Sequence, residues 1–315
     1  MKLRFPALLF LCFSFASSAF GQAYMNDIVR DSARSDKLTG GTIEKTSLAD
    51  GENDLRITIN VPAFQMTLWQ NGKEVKSYPI GVGLLDYPII IGRREASSIE
   101  WNPVWIPPSS DWIEKSSTVK PGEIILPTDP RNPLGKVKIP LGYGYLIHQA
   151  KGPGDMGNLV SHGCVRVMQS DLYDLAEKIV AARSLDVMPE QISAAKRSKK
   201  TLIAPLDPII SVEITYDTMV VEAGRLHIYP DVYGYKKNTV TNLKRELKTS
   251  GIDYSEISDS ALAKMIAAAT AKKQFVVDIA SLDSDNALKS GKVIPVLSTT
   301  VQPKPGPIKR KKLRR

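Results

Sequence analysis

Cysteine and histidine are scarce in this sequence, and no apolar run is long enough to form a membrane-spanning helix. Of the 315 residues, only two are cysteine and three are histidine. No stretch provides the roughly 20 consecutive apolar residues that such a helix needs. Neither an internal repeat nor a glycine-rich phosphate-binding loop is present. The sequence therefore gives no indication of a helical membrane protein, a repeat array or a phosphate-binding-loop enzyme.

The first 23 residues have the composition of a secretory signal peptide. Lys2 and Arg4 precede an apolar run over about residues 5–15, and small residues follow up to Ala23. Cys12 lies inside the apolar run after Leu11, whereas a lipid-attachment cysteine normally follows small residues. We therefore predict a signal peptide over 1–23 and an exported, non-lipidated protein. The mature chain then keeps one thiol, Cys164, and an unpaired cysteine in a secreted protein suggests intermolecular pairing or a reactive group.

The basic character of the chain is confined to its C-terminal tail. The formal net charge is +9, and removal of Lys2 and Arg4 leaves +7. The final 15 residues contain seven basic side chains and no acidic one, so residues 24–300 are formally neutral. We predict a disordered basic tail over 291–315, either solvated or attracted to an anionic glycopolymer or membrane surface. Nucleic acid is not an expected partner, because an exported protein would not meet it.

Composition divides the rest of the chain into three parts. Residues 24–54 are polar and predict a linker or arm. From residue 55, short strand-like segments are separated by turns bearing proline and glycine, which is typical of an antiparallel β-sandwich or barrel. One helix is expected directly after the cysteine, over QSDLYDLAEKIVAAR, with Ser170 as its N-cap. Residues 201–290 alternate strand and helix patterns and predict a smaller α/β extension after a main domain over 55–200.

The residues around Cys164 are those that thiol chemistry needs. A thiol attacks as thiolate, so its pKa must be lowered or a base must take its proton. Two of the three histidines, His148 and His162, lie within sixteen residues upstream of Cys164. The segment between them carries Gly152, Gly154 and Gly157, which would let the chain turn back toward the sulfur.

Three interpretations of this cluster remain open from the residues alone. A buried cysteine with incidental histidines is one of them. A zinc site formed by His148, His162 and Cys164 is another, although it lacks a clear fourth ligand. The third is a cysteine nucleophile with a histidine base, in which Gly163 permits close approach of the substrate and successive backbone N–H groups face a developing oxyanion.

The hexamer Ser161-His162-Gly163-Cys164-Val165-Arg166 resembles the active-site signature of the L,D-transpeptidases, the YkuD-type domain of bacterial cell-wall enzymes. The segments IHQA at 147–150, RNPLG at 131–135, NPVWIPP at 102–108 and SYPIGVG at 77–83 also resemble family segments, in the family's order. The similarity covers about residues 55–185 and continues less distinctly to about 233. Within the family, the sequence resembles the ErfK/YbiS-like envelope enzymes.

The resemblance implies a YkuD-like β-sandwich or barrel, without cofactor or metal, that acts on stem peptides of peptidoglycan in the periplasm. Cys164 would form an acyl-thioester with release of D-alanine, and an amine of a second stem or of a lipoprotein lysine would resolve it. His148 would be the general base, oriented by the carbonyl of Gln149. His162 and Gly163 would belong to the oxyanion region, with Ser161 and Arg166 in support. Hydrolysis of the same type of bond, by an L,D-carboxypeptidase or amidase, is the alternative activity, and a non-catalytic wall-binding or zinc-binding module is the alternative of another class.

Aromatic residues complete the expected site. Tyr143 and Tyr145 are predicted to alternate along one strand and to face the cleft together. Trp105, with Trp101 and Trp112, is expected either to cover the stem peptide or to pack in the core.

Two positions depart from the family pattern. Gln149 is one of them, because the family usually has glycine or serine there. The segment YPIIIGRR at 87–94 departs from the family's usual Thr-Pro-x-Gly start and is expected to reshape one wall of the cleft.

Overall fold

The structure is a computed structural model that describes residues 55–282 and 286–297. The predicted signal peptide, the predicted arm and the tail from residue 298 onward lie outside these residues. Within the described residues, no helix is long and apolar enough to cross a membrane.

The main sheet has nine strands, and eight of them close into a barrel. The strands are β1 (Leu55–Asn60), β2 (Gln65–Gln70), β3 (Lys73–Gly83), β4 (Gly92–Trp101), β5 (Val137–Pro140), β6 (Leu146–Gln149), β7 (Leu159–Ser161), β8 (Val165–Val167) and β9 (Leu202–Thr215). Their order in the sheet is β2-β1-β9-β4-β5-β6-β8-β3-β7, and pairing of β2 with β3 closes the ring and leaves β7 outside it. The predicted mainly β fold with helices is confirmed.

The barrel interior follows from alternation along the strands. In β1, Leu55, Ile57 and Ile59 are buried and the residues between them are partly exposed, because successive side chains of a strand point to opposite faces. The barrel is mixed rather than antiparallel as predicted, since β1 pairs parallel to β9 and β6 pairs parallel to β8. A long connection such as residues 150–164 can return the chain to the same end of the sheet, which a tight hairpin cannot do.

Helices cover one side of the barrel, and a small aromatic cluster covers part of the rest. The short helix α1 (Asp111–Glu114) belongs to a cluster around Trp105, Ile113 and Ile125. Helix α2 (Gln169–Arg183) follows β8 and buries the face containing Leu172, Leu175, Ala176, Ile179 and Val180. The prediction of Ser170 as its N-cap is wrong, because the N-cap is Met168 and Ser170 lies inside the first turn. Helix α3 (Pro189–Arg197) then leads into β9.

The C-terminal part forms a second, four-stranded antiparallel sheet. Its elements are β10 (Met219–Glu222), β11 (Arg225–Ile228), α4 (Val240–Thr249), α5 (Asp259–Ala268), β12 (Lys273–Asp278), α6 (Asn286–Ser290) and β13 (Lys292–Pro295), and the strands lie side by side in chain order. These elements enclose a core of their own that includes Leu226, Leu243, Leu262 and Phe275. The expected smaller α/β extension is therefore present.

Two predicted boundaries of this extension are wrong. Strand β9 was assigned to the extension, but it pairs with β1 and β4 in the barrel, so the second sheet begins after Thr215. Composition does not report which sheet an apolar strand joins. Residues Lys292–Pro295 were assigned to the disordered tail, but they pair with β12 as an edge strand.

Candidate active site

The parallel pairing of β6 with β8 brings His148 and the cysteine segment together. Ile147 lies opposite Val165 and His148 lies opposite Arg166. Continued by one residue, this register sets Leu146 beside Cys164, and the Leu146 backbone is among the groups that act on the thiol pKa. Because alternate residues of a strand share a face, this register, extended by one residue beyond β8, sets His148 and Cys164 on the same face of neighbouring chain segments. The imidazole and the thiol are thus directed into one region.

His148 is buried and uncharged at neutral pH. Its side chain is 4% exposed. Burial and the neighbouring Arg166 cation lower its pKa to about 4, while the backbone carbonyls of Gln149 and Leu134 and the Asp155 carboxylate act in the opposite direction. Its Nδ1 atom makes no hydrogen bond to any described residue. A neutral imidazole is the form that accepts a proton, as a general base must.

Burial of a neutral His148 predicts that acid destabilises the fold. Between pH about 4 and 6.5 the unfolded chain binds a proton at His148 that the folded chain does not. The free energy of unfolding is therefore retained above pH 6.5 and decreases, by up to about 3 kcal/mol, as the pH falls toward 4. Urea unfolding at pH 7 and pH 4.5 measures this, and His148→Gln should flatten the difference. An equal pH dependence in the variant would contradict the assignment.

The Cys164 thiol is protonated at neutral pH. Burial raises its pKa to about 11, although hydrogen bonding from the Leu146 backbone and the Arg166 charge act to lower it. A thiol of this kind is a weak nucleophile until a base takes its proton. The resting site thus contains a neutral thiol and a neutral imidazole rather than a preformed ion pair.

Hydrogen bonds hold the Ser161–Cys164 loop in a tight turn. The Ser161 hydroxyl donates to the Cys164 carbonyl at 2.5 Å, and Ser161 is 2% exposed. The Leu84 N–H donates to the Ser161 carbonyl at 2.8 Å. Gly163 has φ +106°, and a Cβ built there would lie 2.7 Å from Cε1 of Tyr145. The turn therefore requires glycine at this position, for backbone conformation and for space.

Substitution of Gly163 by alanine should destabilise the protein more than the same change at a glycine with open surroundings. Gly144 is the matched control, because its φ is +77° and no heavy atom lies within 4 Å of a built Cβ. We expect a loss of about 1 kcal/mol for Gly144→Ala and at least about 2 kcal/mol for Gly163→Ala. Thermal and urea unfolding measure both. Equal losses would show that Tyr145 does not restrict the turn.

His162 is held by aromatic rings at the surface of the site. Its ring is stacked on Trp112 at a centroid distance of 4.2 Å and contacts Tyr87 edge-on at 4.7 Å. Trp105 continues the stack, 6.3 Å from Trp112. Partial burial, Arg166 and Lys151 lower the pKa of His162. The aromatic contacts therefore fix the orientation of the ring.

Arg166 fixes the glycine-rich connection beneath the site. Its Nη1 lies 3.1 Å from Asp155 Oδ2, and both side chains are largely buried. Asp155 also accepts a hydrogen bond from the Lys151 N–H at 2.8 Å. The backbone carbonyl of Asp155 leaves no space for a side chain at Gly81, where a built Cβ would lie 2.4 Å from it. This ion pair ties the loop that precedes β7 to the strand that follows Cys164.

Gln149 has a packing role through its side chain. Its Oε1 accepts a hydrogen bond from the Lys136 N–H at 2.9 Å, and the side chain covers Gly135. Its carbonyl is among the groups that act on the His148 ring. Gln149 is larger than the glycine or serine that the family usually has at this position, and its side chain is thus accommodated away from the imidazole.

The expectation that Tyr143 and Tyr145 face the cleft from one strand is wrong. Both lie in the turn between β5 and β6, where Gly142 and Gly144 have positive φ and break the strand alternation. Tyr143 is 49% exposed and its ring lies under the Arg94 guanidinium. Tyr145 alone packs against Gly163.

The tryptophans separate into core and site. Trp101 is 1% exposed in the barrel core, and Trp105 is 8% exposed in the small cluster. Trp112 contacts His162 directly.

Three groups of the site were not predicted from the sequence, because each reaches the site through tertiary packing. They are Tyr87, Asp155 and the Leu146 backbone. Among the described residues, no group of three or more histidine, cysteine or acidic side chains is placed to hold a metal ion.

Comparisons with known proteins agree on one family. Residues 54–196 match the YkuD family model, described as the L,D-transpeptidase catalytic domain. A probable L,D-transpeptidase YbiS of Escherichia coli K12 is 30% identical over 145 residues, which cover 44% of this chain and 46% of that protein. A probable L,D-transpeptidase ErfK/SrfK of Salmonella typhimurium is 25% identical over 140 residues, 43% and 45% of the two chains. The chain thus matches about half the length of these relatives.

The comparison with solved structures also returns proteins named as L,D-transpeptidases. L,D-transpeptidase 1 of Mycobacterium tuberculosis is 17% identical with a TM-score of 0.29, covering 51% of this chain and 62% of that one. An L,D-transpeptidase of Stackebrandtia nassauensis is 13% identical with a TM-score of 0.31, covering 61% and 65%. The resemblance seen in the sequence is confirmed by the family match.

Proposed function

With residues 54–196 matching the L,D-transpeptidase catalytic domain, we propose that the protein is a cysteine-dependent L,D-transpeptidase of peptidoglycan stem peptides. One observation carries the proposal: the parallel register of β6 and β8 puts a neutral, buried His148 on the same face as the Cys164 thiol. Tetrapeptide stems that end in D-alanine are the proposed donors.

Acylation uses the two neutral groups together. His148 takes the thiol proton as Sγ of Cys164 attacks the carbonyl carbon at the L-centre of the diamino acid. The new bond joins sulfur to that carbon, and the bond from the carbon to the D-alanine nitrogen breaks. The imidazolium returns its proton to this nitrogen, so D-alanine leaves as the free amino acid.

The turn at Gly163 is the proposed oxyanion site. Negative charge develops on the carbonyl oxygen during attack, and backbone N–H groups of His162, Gly163 and Cys164 are the proposed donors to it. The glycine conformation and the Ser161 hydrogen bond support this role, because both keep the turn in one geometry.

Deacylation determines the product. An acceptor amine attacks the thioester, transfers a proton to His148 and forms an amide, while the sulfur regains a proton. A second stem as acceptor gives a cross-link, a lipoprotein lysine gives a tethered lipoprotein, and water gives a tripeptide. Amine transfer is the activity that we propose. We propose further that the protein is exported and acts in the periplasm, where its basic tail would meet anionic envelope polymers or a membrane surface.

Product analysis tests the proposal. Purified residues 24–315 are incubated with disaccharide tetrapeptides, and products are followed by mass spectrometry. Cross-linked dimers together with free D-alanine are expected. If tripeptide and D-alanine form without dimers, the activity is hydrolysis and not transfer to a second stem. If no product forms, with or without an added lysine-bearing acceptor peptide, the enzymatic assignment is wrong.

A further inference from the structure

Tyr233 lies outside the segment that matches the catalytic domain, yet it packs against the barrel core. It is in the connection between β11 and α4, 37 residues beyond the matched range 54–196, and it is 9% exposed. Its ring belongs to the same apolar cluster as the barrel interior. The C-terminal extension therefore contributes a side chain to the catalytic half of the protein.

The Tyr233 hydroxyl joins the two ends of one turn. It donates a hydrogen bond to the Gly83 carbonyl at 3.0 Å and accepts one from the Ile89 N–H at 3.4 Å. Gly83 ends β3, and Ile89 comes just before β4. We name residues 84–88, which lie between these two anchors, the 84–88 turn.

The 84–88 turn is in contact with the candidate active site at both of its ends. Tyr87 contacts the His162 ring edge-on, and the Leu84 N–H donates to the Ser161 carbonyl. A Cβ on Gly83 would lie 3.1 Å from the Gly163 Cα and 2.1 Å from the Tyr87 carbonyl. Displacement of this turn would therefore alter the surroundings of His162 and of the cysteine loop.

Tyr233 is itself held by groups of the extension. Its N–H donates to the Tyr216 hydroxyl at 2.7 Å, and that hydroxyl donates to Asp231 Oδ1 at 2.6 Å. Asp231 also accepts hydrogen bonds from the N–H groups of Tyr235 and Lys237, each at 2.9 Å. The rings of Tyr216 and Tyr233 are stacked at 5.6 Å. The anchor is thus in position without any contribution from a substrate.

We propose that Tyr233 is a positioning residue, which fixes the 84–88 turn and, through Tyr87, the orientation of His162. The matched catalytic segment would then depend on the extension for a complete site. The consequence for turnover rests on the proposed transpeptidase function, whereas the effect on His162 does not.

Two tyrosine-to-phenylalanine variants of the mature protein test this role. Tyr233→Phe removes the hydroxyl and keeps the ring. Tyr235→Phe is the matched control, because its ring packs on Tyr216 and Tyr233 and no hydrogen bond of its hydroxyl to a described residue is found. Titration of the His162 ring by NMR is the first measurement, with the His227 signal as internal reference. D-alanine release from tetrapeptides is the second.

In Tyr233→Phe, the His162 pKa should rise toward its ordinary value, because a displaced turn exposes the ring to water. The kcat for D-alanine release should fall about 10-fold with KM nearly unchanged, as expected when a group near the reaction is misplaced. Tyr235→Phe should match the wild type in both. Tyr87→Leu should raise the His162 pKa as well, and adding Tyr233→Phe to it should have little further effect.

An unchanged His162 titration in Tyr233→Phe would overturn the proposal, even if kcat or the melting temperature fell. Equal changes in both phenylalanine variants would also overturn it. If the wild type releases no D-alanine, the transpeptidase assignment fails on its own, and the NMR titration still decides the role of Tyr233.

Discussion

Replacement of Cys164 by alanine is expected to reduce D-alanine release by at least about 10³-fold, to the background of the assay. No other thiol remains in residues 24–315, so the variant has none to substitute for it. The fold should survive, because alanine is smaller than cysteine and fits the same space. Release is measured from tetrapeptides by mass spectrometry.

Labelling by a covalent β-lactam, together with circular dichroism, distinguishes loss of the nucleophile from loss of the fold. A carbapenem should add its mass to the wild type and not to Cys164→Ala, while both proteins should give the same far-ultraviolet circular dichroism. Substantial turnover by the alanine variant would mean that another group carries the chemistry. Loss of the circular dichroism signal would indicate instead that Cys164 is a structural residue. This is the interpretation of a buried cysteine with incidental histidines, which the sequence left open.

Replacement of His148 by glutamine should lower kcat by about 10²- to 10⁴-fold, the range that general acid-base groups contribute. Glutamine keeps the approximate volume and polarity but does not accept a proton. His227→Gln is the matched control, because His227 lies in the second sheet, where its Nδ1 is 2.9 Å from Gln274 Oε1. Steady-state D-alanine release measures both variants, and the control should keep wild-type activity.

The pH dependence separates a neutral pair from a preformed ion pair. His148 must be uncharged to accept a proton, so the wild-type rate should decline only as the pH falls toward about 4. Alkylation of Cys164 by iodoacetamide should rise with pH well beyond 8, because burial holds the thiol pKa near 11. A fast alkylation plateau below pH 7 would indicate a resting thiolate, and the proposed concerted proton transfer would be wrong.

The family resemblance was accessible from the sequence because the signature that carries it is local. Ser161, His162, Gly163, Cys164 and Arg166 are nearly contiguous, and the glycines that follow His148 indicated a chain reversal. The register that unites them was not accessible, because β6 and β8 pair across a connection of fifteen residues that itself contributes β7. Periodicity reports which face of a strand is buried, not which strand lies beside it.

Contacts distant in sequence account for what the sequence did not predict. Tyr233 and Gly83 are 150 positions apart, and no local pattern pairs them. Trp112 was considered as part of a lid, but its stacking on His162 depends on how the segment around α1 folds back over the barrel. The prediction for Tyr143 and Tyr145 was wrong because a turn in which glycines separate the aromatic residues shows the same alternation of residue types as a strand.

Trapping of the acyl-enzyme tests the central claim most directly. The mature protein is mixed with a tetrapeptide stem, quenched in acid within a single turnover, digested and mapped by mass spectrometry. The peptide that contains Cys164 should gain the mass of the stem minus D-alanine, and His148→Gln should gain it far more slowly. Release of D-alanine with no adduct on Cys164, or with the adduct on another residue, would contradict attack by this thiol.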